Sequence, residues 1–119
     1  MIRHKDYCMK NIDPITEETV RRFLELIRER YDVAGAILYG SRARGTLGPD
    51  SDADVAVLLK GEFRRFDTLM DMSDVTFDVM LETGVLIDPL PLRMEDWEHP
   101  ENYSNPVLLR NIDREGIRL

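Results

Sequence analysis

The sequence has little cysteine, no long apolar run and a deficit of positive charge. Its 119 residues include one cysteine, Cys8, which excludes an internal disulfide and a cysteine zinc cluster. No apolar run approaches the roughly 20 residues that span a membrane. The segment from Met1 to Asp6 lacks the apolar core of a secretory signal. We therefore expect a cytoplasmic protein that makes no contact with membranes.

The charge balance limits the ligands that the chain can bind. The formal net charge is −7, from 16 Lys and Arg against 23 Asp and Glu. Because phosphate backbones are bound through Lys and Arg, this balance argues against general nucleic-acid binding. A small anionic ligand is still compatible, provided that a metal ion neutralises it locally. The length favours a single domain over 1–119, with one modest core.

Three segments have the apolar spacing of helices. Asp13-Pro14 is a helix-start signal, and the pattern after it ends near Arg30. A last helix is expected over about 105–116, and 1–12 is interpreted as an N-terminal arm. The stretch from Gly61 to Thr83 is the longest candidate, with a possible break near Ser73. Helical steps of three and four residues connect Phe63, Phe66, Met70, Ser73, Phe77, Met80 and Leu81, and Met70, Met72 and Met80 are expected in the helix core.

Three apolar runs are predicted to be strands: 33–39, 53–59 and 85–92. The third contains Pro89 and Pro91, which lack backbone N–H donors. Because alternate N–H groups point to the same side of a strand, both missing donors lie on one side, and this strand must be an edge. The order of elements predicts an α/β fold, a small mixed β-sheet flanked by helices, with its core at about 16–92.

A Gly-Ser corner follows the first strand. Glycine lets the backbone approach a ligand closely, and a short helix after Gly40 would direct free N–H groups at an anion. Ser41 adds a hydroxyl donor, and Arg42 and Arg44 add positive charge. The corner is thus a candidate phosphate cradle. A plain strand-to-loop turn with surface arginines explains the same residues, since Gly-Ser alone is a weak motif.

Asp52 and Asp54 stand at the start of the second strand. Residues i and i+2 of a strand face the same way, so both carboxylates project from one face. Their mutual repulsion would be relieved by a divalent cation, and hard oxygen ligands suit Mg²⁺. A solvated turn is the alternative, because Pro49-Asp50-Ser51-Asp52 is good turn chemistry.

Asp88 is a lone charge within the third apolar run. If this strand lies beside the second one, Asp88 joins Asp52 and Asp54, and three carboxylates form a two-metal site. Alternatively, Asp88 faces water, where charges protect an exposed sheet edge from aggregation.

The two motifs lie in one segment flanked by strands: Gly40-Ser41, ten further residues and then Asp52-x-Asp54. This segment resembles the signature of the nucleotidyltransferase superfamily that includes DNA polymerase beta. In particular, the segment resembles the minimal nucleotidyltransferases. The resemblance implies that Gly40 and Ser41 hold a nucleoside triphosphate, with ATP expected. It implies that Asp52, Asp54 and Asp88 bind two Mg²⁺ ions, and that Asp88 helps to take the proton from the attacking hydroxyl.

The resemblance also implies a function. The expected reaction is transfer of AMP from ATP to a hydroxyl acceptor, for which a tyrosine of a HEPN-domain partner is a candidate. The alternative is an antitoxin that neutralises a HEPN toxin by complex formation, without catalysis. Homo-oligomerisation through the edge strand or the helices stays open.

Overall fold

The computed structural model describes residues 12–45 and 51–119. Nearly all of the predicted N-terminal arm and the middle of the loop after the Gly-Ser corner lie outside the described residues. The helices are α1 (Pro14–Arg28), α2 (Ser41–Arg44), α3 (Arg65–Thr83), α4 (Met94–Glu98) and α5 (Pro106–Glu115), with a 3₁₀ turn at Pro100–Asn102. The strands are β1 (Val33–Tyr39), β2 (Ala53–Leu59), β3 (Ile87–Arg93) and β4 (Ile117–Arg118).

The four strands form one mixed sheet in the order β3-β2-β1-β4. β1 pairs antiparallel with β2 and with β4, whereas β2 and β3 are parallel and are connected through α3. The predicted α/β class is therefore confirmed, and β3 is an edge strand as its two prolines require.

Helices cover both faces of the sheet. On one face, apolar residues of α1 and α3 pack against alternate strand residues, including Phe23, Met72, Leu38, Val55 and Val57. On the other face, Leu109 and Ile112 of α5 pack on Ile37, Ala56 and Leu58. Trp97 packs at the border of this second cluster. The predicted carboxylates at the start of β2 lie on the sheet face that α5 covers.

The N-terminus of α1 is capped as the sequence predicts. The Asp13 carboxylate accepts hydrogen bonds from the Thr16 backbone N–H at 2.9 Å and from the Thr16 hydroxyl at 2.5 Å. Burial alone would raise the pKa of Asp13, but these hydrogen bonds and the charge of Arg42 together lower it. The cap thus satisfies otherwise unpaired donors of the first helical turn.

Helix α3 is present and unbroken, but of the three methionines expected in its core only Met72 is fully buried, and Met70 is exposed. The helix buries its smaller side chains, namely Thr68, Met72, Val75, Thr76 and Val79. Phe66, Met70, Phe77 and Leu81 face solvent instead. In this rotation Arg22 of α1 pairs with Glu82 at 3.0 Å, and Arg30 pairs with Asp71 at 2.6 Å. The spacing of apolar residues predicts the helix but does not determine which of its two apolar faces is buried.

Three smaller differences lie after α3. The third strand begins at Ile87 rather than at Val85, and the stretch after it, for which no helix or strand was predicted, contains α4 and the 3₁₀ turn. The C-terminal residues form β4, which pairs with Ile37 and Leu38 of β1. No helix in residues 12–45 and 51–119 combines the length and hydrophobicity that crossing a bilayer requires.

Candidate active site

Asp54 and Asp88 lie directly opposite each other on the parallel strands β2 and β3. Neighbouring strands are about 4.8 Å apart, and paired positions of a sheet face the same side. The structure therefore places these two carboxylates side by side at the sheet edge, which is one of the two alternatives that the sequence left open for Asp88. Asp88 is also solvent-exposed. Its side chain therefore lies beside Asp54 and also faces water at the sheet edge, so the two alternatives for this residue do not exclude each other.

Asp52 stands two residues before Asp54 and is exposed. The charges of Asp52 and Asp88 act on Asp54. Burial raises the pKa of Asp54, and the nearby charges of Asp88 and Asp52 raise it further, while Arg44 lowers it. Asp52 and Asp88 are thus close enough to Asp54 for their charges to affect it, and we call the three residues the acid triad.

Gly40 lies against the acid triad. Its backbone has φ 77° and ψ −157°, a combination that essentially only glycine adopts. A Cβ atom built at this position would collide with the Asp54 Oδ2 atom. The glycine therefore allows the β1–α2 corner to pass directly over the carboxylate, and any larger residue would displace one or the other.

Ser41 begins the short helix α2 immediately after Gly40. The Gly40 carbonyl accepts hydrogen bonds from the N–H groups of Ala43 at 3.2 Å and Arg44 at 3.1 Å. This single helical turn holds Ser41, which is partly exposed, beside the corner that contacts Asp54. The two halves of the sequence motif therefore meet in space.

Arg42 is buried, at 5% relative exposure. Its Nε atom donates to the Ser51 carbonyl at 2.8 Å, and its Nη1 atom donates to the Thr16 hydroxyl at 2.7 Å. Its guanidinium lies 3.9 Å from the Asp13 carboxylate. These contacts join α2, the end of the following loop and the cap of α1. The predicted contact of Arg42 with a nucleotide stays a prediction, and the contacts observed are structural.

Arg44 differs from Arg42 because it is exposed on α2. Its positive charge is close enough to the acid triad to lower the pKa of Asp54. An exposed guanidinium at this place is available to an anionic ligand that approaches the triad.

Tyr39 is a site residue that the sequence reasoning assigned to the strand alone. It pairs with Asp54 across β1 and β2, so Tyr39, Asp54 and Asp88 form a row across three strands. Burial and the charges of both aspartates raise the pKa of Tyr39, with a further contribution from Tyr103. The signal available in the sequence was its position directly before Gly40, opposite the start of the next strand.

The chemistry of the acid triad fits a divalent metal ion. Carboxylate oxygens are hard ligands that suit Mg²⁺. Burial is the main cause of the raised pKa of Asp54, and a cation would relieve the repulsion from Asp88 and Asp52 that adds to it. Within residues 12–45 and 51–119, no three His, Cys, Asp or Glu side chains are already gathered to hold a metal. The exposed carboxylates of Asp52 and Asp88 would have to turn towards the ion.

The fold and the site together define an α/β domain in which a glycine corner crosses a carboxylate row at a sheet edge. A family model described as "Nucleotidyltransferase domain" matches residues 20–110, which is more than half of the chain. The chain belongs to the nucleotidyltransferase domain family, within the superfamily of DNA polymerase beta. A nucleoside triphosphate substrate is implied by this family, and its members generally use divalent metals.

A crystal structure from Sulfolobus solfataricus, described as that of a candidate nucleotidyltransferase, is similar to this chain. The similarity covers 82% of this chain and 81% of that one, with 21% sequence identity and a TM-score of 0.46. The search of curated proteins gave no significant match.

Proposed function

We propose that this protein transfers a nucleoside monophosphate, AMP from ATP, to a hydroxyl acceptor. The observation that carries the proposal is the packing of Gly40 on Asp54, directly beside Asp88. This packing unites the candidate phosphate corner and the carboxylates in one site, in a chain whose family handles nucleotides.

The reaction is an in-line displacement at the α-phosphorus of the nucleotide. The acceptor oxygen forms a bond to that phosphorus, and the bond from the phosphorus to the bridging oxygen breaks. Pyrophosphate leaves with the bonding electron pair, and the acceptor proton passes to the Asp88 carboxylate. Gly40 and Ser41 hold the phosphates, and Arg44 adds positive charge next to them. Positioning and charge compensation supply most of the catalysis in such a step.

Asp52, Asp54 and Asp88 would hold two Mg²⁺ ions. When bound, the ions neutralise charge on the phosphates and favour ionisation of the attacking hydroxyl. The three carboxylates provide the negative charge that retains the metal. The raised pKa of Asp54, due to burial and then to Asp88 and Asp52, fits a cluster built around a cation.

The acceptor that we propose is a tyrosine of a HEPN-domain partner. The support is the resemblance of the Gly40-to-Asp54 motif to that of minimal nucleotidyltransferases, some of which modify such a partner. Mass spectrometry of the partner, after incubation with this protein and ATP, identifies the residue that gains AMP.

The test of catalysis uses α-labelled ATP and Mg²⁺, with and without the partner. Asp52→Asn, Asp54→Asn and Asp88→Asn should each reduce label transfer by on the order of 100-fold or more, since each removes charge stabilisation from the reacting centre. Glu95→Gln is the matched control, because Glu95 is an exposed acid on α4, and it should leave transfer unchanged. Full transfer in all three aspartate variants, each shown to be folded by circular dichroism, would exclude the mechanism.

A second candidate function is neutralisation of a partner by binding alone. The observation that favours it is the large apolar face that α3 leaves exposed, because such faces mark protein interfaces. Co-expression separates the two functions. If the Asp52→Asn protein still neutralises a HEPN toxin, and the toxin carries no adduct, then binding suffices.

A further inference from the structure

Helix α3 exposes its largest apolar side chains. Phe66, Met70, Phe77 and Leu81 are 72%, 53%, 55% and 68% exposed, and we call them the outer stripe. With steps of four, seven and four residues they share one face of the helix, opposite the buried face. Each phenylalanine alone presents roughly 100–150 Å² to solvent, from the ~200 Å² of a whole aromatic residue. An exposed apolar patch of this kind marks an interaction site.

Three aspartates run along one side of the outer stripe. At about 100° per residue, Asp67, Asp74 and Asp78 lie on a line between the stripe and α1, and all three are exposed. We call them the acidic border. The opposite side of the stripe carries Leu69 and Arg65, and the guanidinium of Arg65 lies over the Tyr103 ring at 5.4 Å. The charge beside the stripe is therefore asymmetric.

This asymmetry argues against a second copy of the chain as the occupant. The outer stripe is centred between Ser73 and Asp74. Antiparallel pairing of two α3 helices about that centre would place Asp74 next to its own copy. Like charges in such close contact are destabilising, and each chain carries a net charge of −7. A membrane surface with anionic lipids would be repelled by the same border.

We propose that the outer face of α3 docks an amphipathic helix of a partner protein. The partner helix contributes an apolar face to the outer stripe and a row of Lys or Arg side chains to the acidic border. Helices that bury apolar stripes on one another pack about 8–10 Å apart, a distance at which long basic side chains reach carboxylates on the neighbouring helix. The basic residues are needed along one edge, which fixes the direction and rotation of the bound helix.

This docking face is separate from the acid triad. The outer stripe lies on the outer surface of α3, whereas Asp54 and Asp88 lie on the sheet face covered by α5. Partner binding through α3 therefore stands whether or not the protein transfers nucleotides. The two proposals fail on different measurements, binding in one case and label transfer in the other.

The probe for this proposal is a synthetic amphipathic peptide with leucines on one face and lysines along one edge. The matched peptide has glutamates in place of the lysines. Fluorescence anisotropy with the full chain should show saturable binding of the lysine peptide at micromolar concentration, and at least tenfold weaker binding of the glutamate peptide. Raising the salt concentration should weaken the lysine complex, because exposed charges are screened.

Substitutions locate the binding surface. Phe77→Ser and Asp74→Lys should each weaken binding of the lysine peptide by at least tenfold. Val107→Ser, at an apolar residue of α5 that is 60% exposed, and Glu95→Lys on α4 are the matched controls and should bind normally. All four positions are at the surface, and circular dichroism checks that each variant is folded.

Three results would overturn the proposal. The first is equal binding of both peptides, or binding that Phe77→Ser leaves unchanged. The second is a dimer in sedimentation velocity experiments that Phe77→Ser abolishes, since this would assign α3 to a second copy of the chain. The third is retention on phosphatidylserine vesicles that depends on the outer stripe, since this would assign α3 to a lipid surface.

Discussion

Replacing Gly40 by alanine should damage both stability and activity, because this glycine satisfies two demands at once. Its φ of 77° and ψ of −157° lie in a region that other residues avoid. In addition, its missing side chain leaves the space that the Asp54 carboxylate occupies. The change Gly40→Ala therefore strains the backbone and pushes Asp54 out of its row with Asp88.

The two effects can be estimated separately. A residue forced into this backbone region costs about 1–3 kcal/mol, and inserting an atom into a filled space costs about 1–3 kcal/mol more. A loss of about 3 kcal/mol is large against the 5–15 kcal/mol stability of an ordinary domain. At roughly 4 °C per kcal/mol for a chain of this size, the midpoint of thermal unfolding should fall by about 12 °C.

Gly84→Ala is the matched control. Gly84 also has a positive φ, of 80°, but its ψ of 2° is ordinary left-handed helix, and a Cβ there would meet nothing within 4 Å. Its cost should be about 1–2 kcal/mol, without loss of activity. Urea denaturation and transfer of label from α-labelled ATP measure both properties. If Gly40→Ala matches Gly84→Ala in stability and retains full transfer, then the close approach of Gly40 to Asp54 matters neither for stability nor for activity.

Two further predictions concern residues away from the reacting centre. Arg42→Ala should lower the free energy of unfolding by about 2–4 kcal/mol, because it removes two charge-assisted hydrogen bonds at a buried place; urea denaturation measures this loss, and a change below 0.5 kcal/mol would contradict the structural role. Burial and the hydrogen bond to Asp71 raise the pKa of Tyr31 to about 12, above its unfolded value of 10.0. The protonated Tyr31 hydroxyl therefore stabilises the folded state fully below pH 10, and this stabilisation is lost as the pH rises towards 12. Tyr31→Phe should flatten the fall in stability between pH 10 and 12, and an unchanged slope would refute this assignment.

Much of the sheet and of the candidate site follows from the sequence because local signals agree there. β1 and β2 were predicted with the bounds that the structure shows, since each is an apolar run that ends at turn-forming or charged residues. The proximity of Asp54 and Asp88 followed from placing two strands side by side. The functional roles of both residues stay predictions.

The sequence was misleading where a choice depended on tertiary contacts. Helix α3 carries two apolar faces, and the face with the smaller side chains is buried. Ion pairs from two arginines to Asp71 and Glu82 accompany this burial. Arg42 looked like a free cation beside a phosphate corner, but its partners come from Thr16 and Ser51, which are distant in the chain. β4 is two residues long and has no periodicity to detect.

The two prolines of β3 explain why Asp88 faces the site. In a strand of L-residues, the side to which a backbone N–H points and the face to which the side chain points are linked. Pro89 and Pro91 have no N–H, so their positions must face away from β2, and the N–H groups of Asp88, Leu90 and Leu92 must face towards it. Because β3 runs parallel to β2, the direction of the Asp88 N–H towards β2 fixes the sheet face on which the Asp88 side chain lies.

A shift of one residue would turn Asp88 to the opposite face and would also direct both prolines at β2. Each of the two ladder bonds lost would cost about 1 kcal/mol, with the burial of unpaired carbonyl groups in addition. Pro89 and Pro91 therefore fix the register that places Asp88 opposite Asp54. The acid triad depends on them: Pro89→Ala and Pro91→Ala together should leave the sheet intact but remove the penalty that keeps Asp88 opposite Asp54.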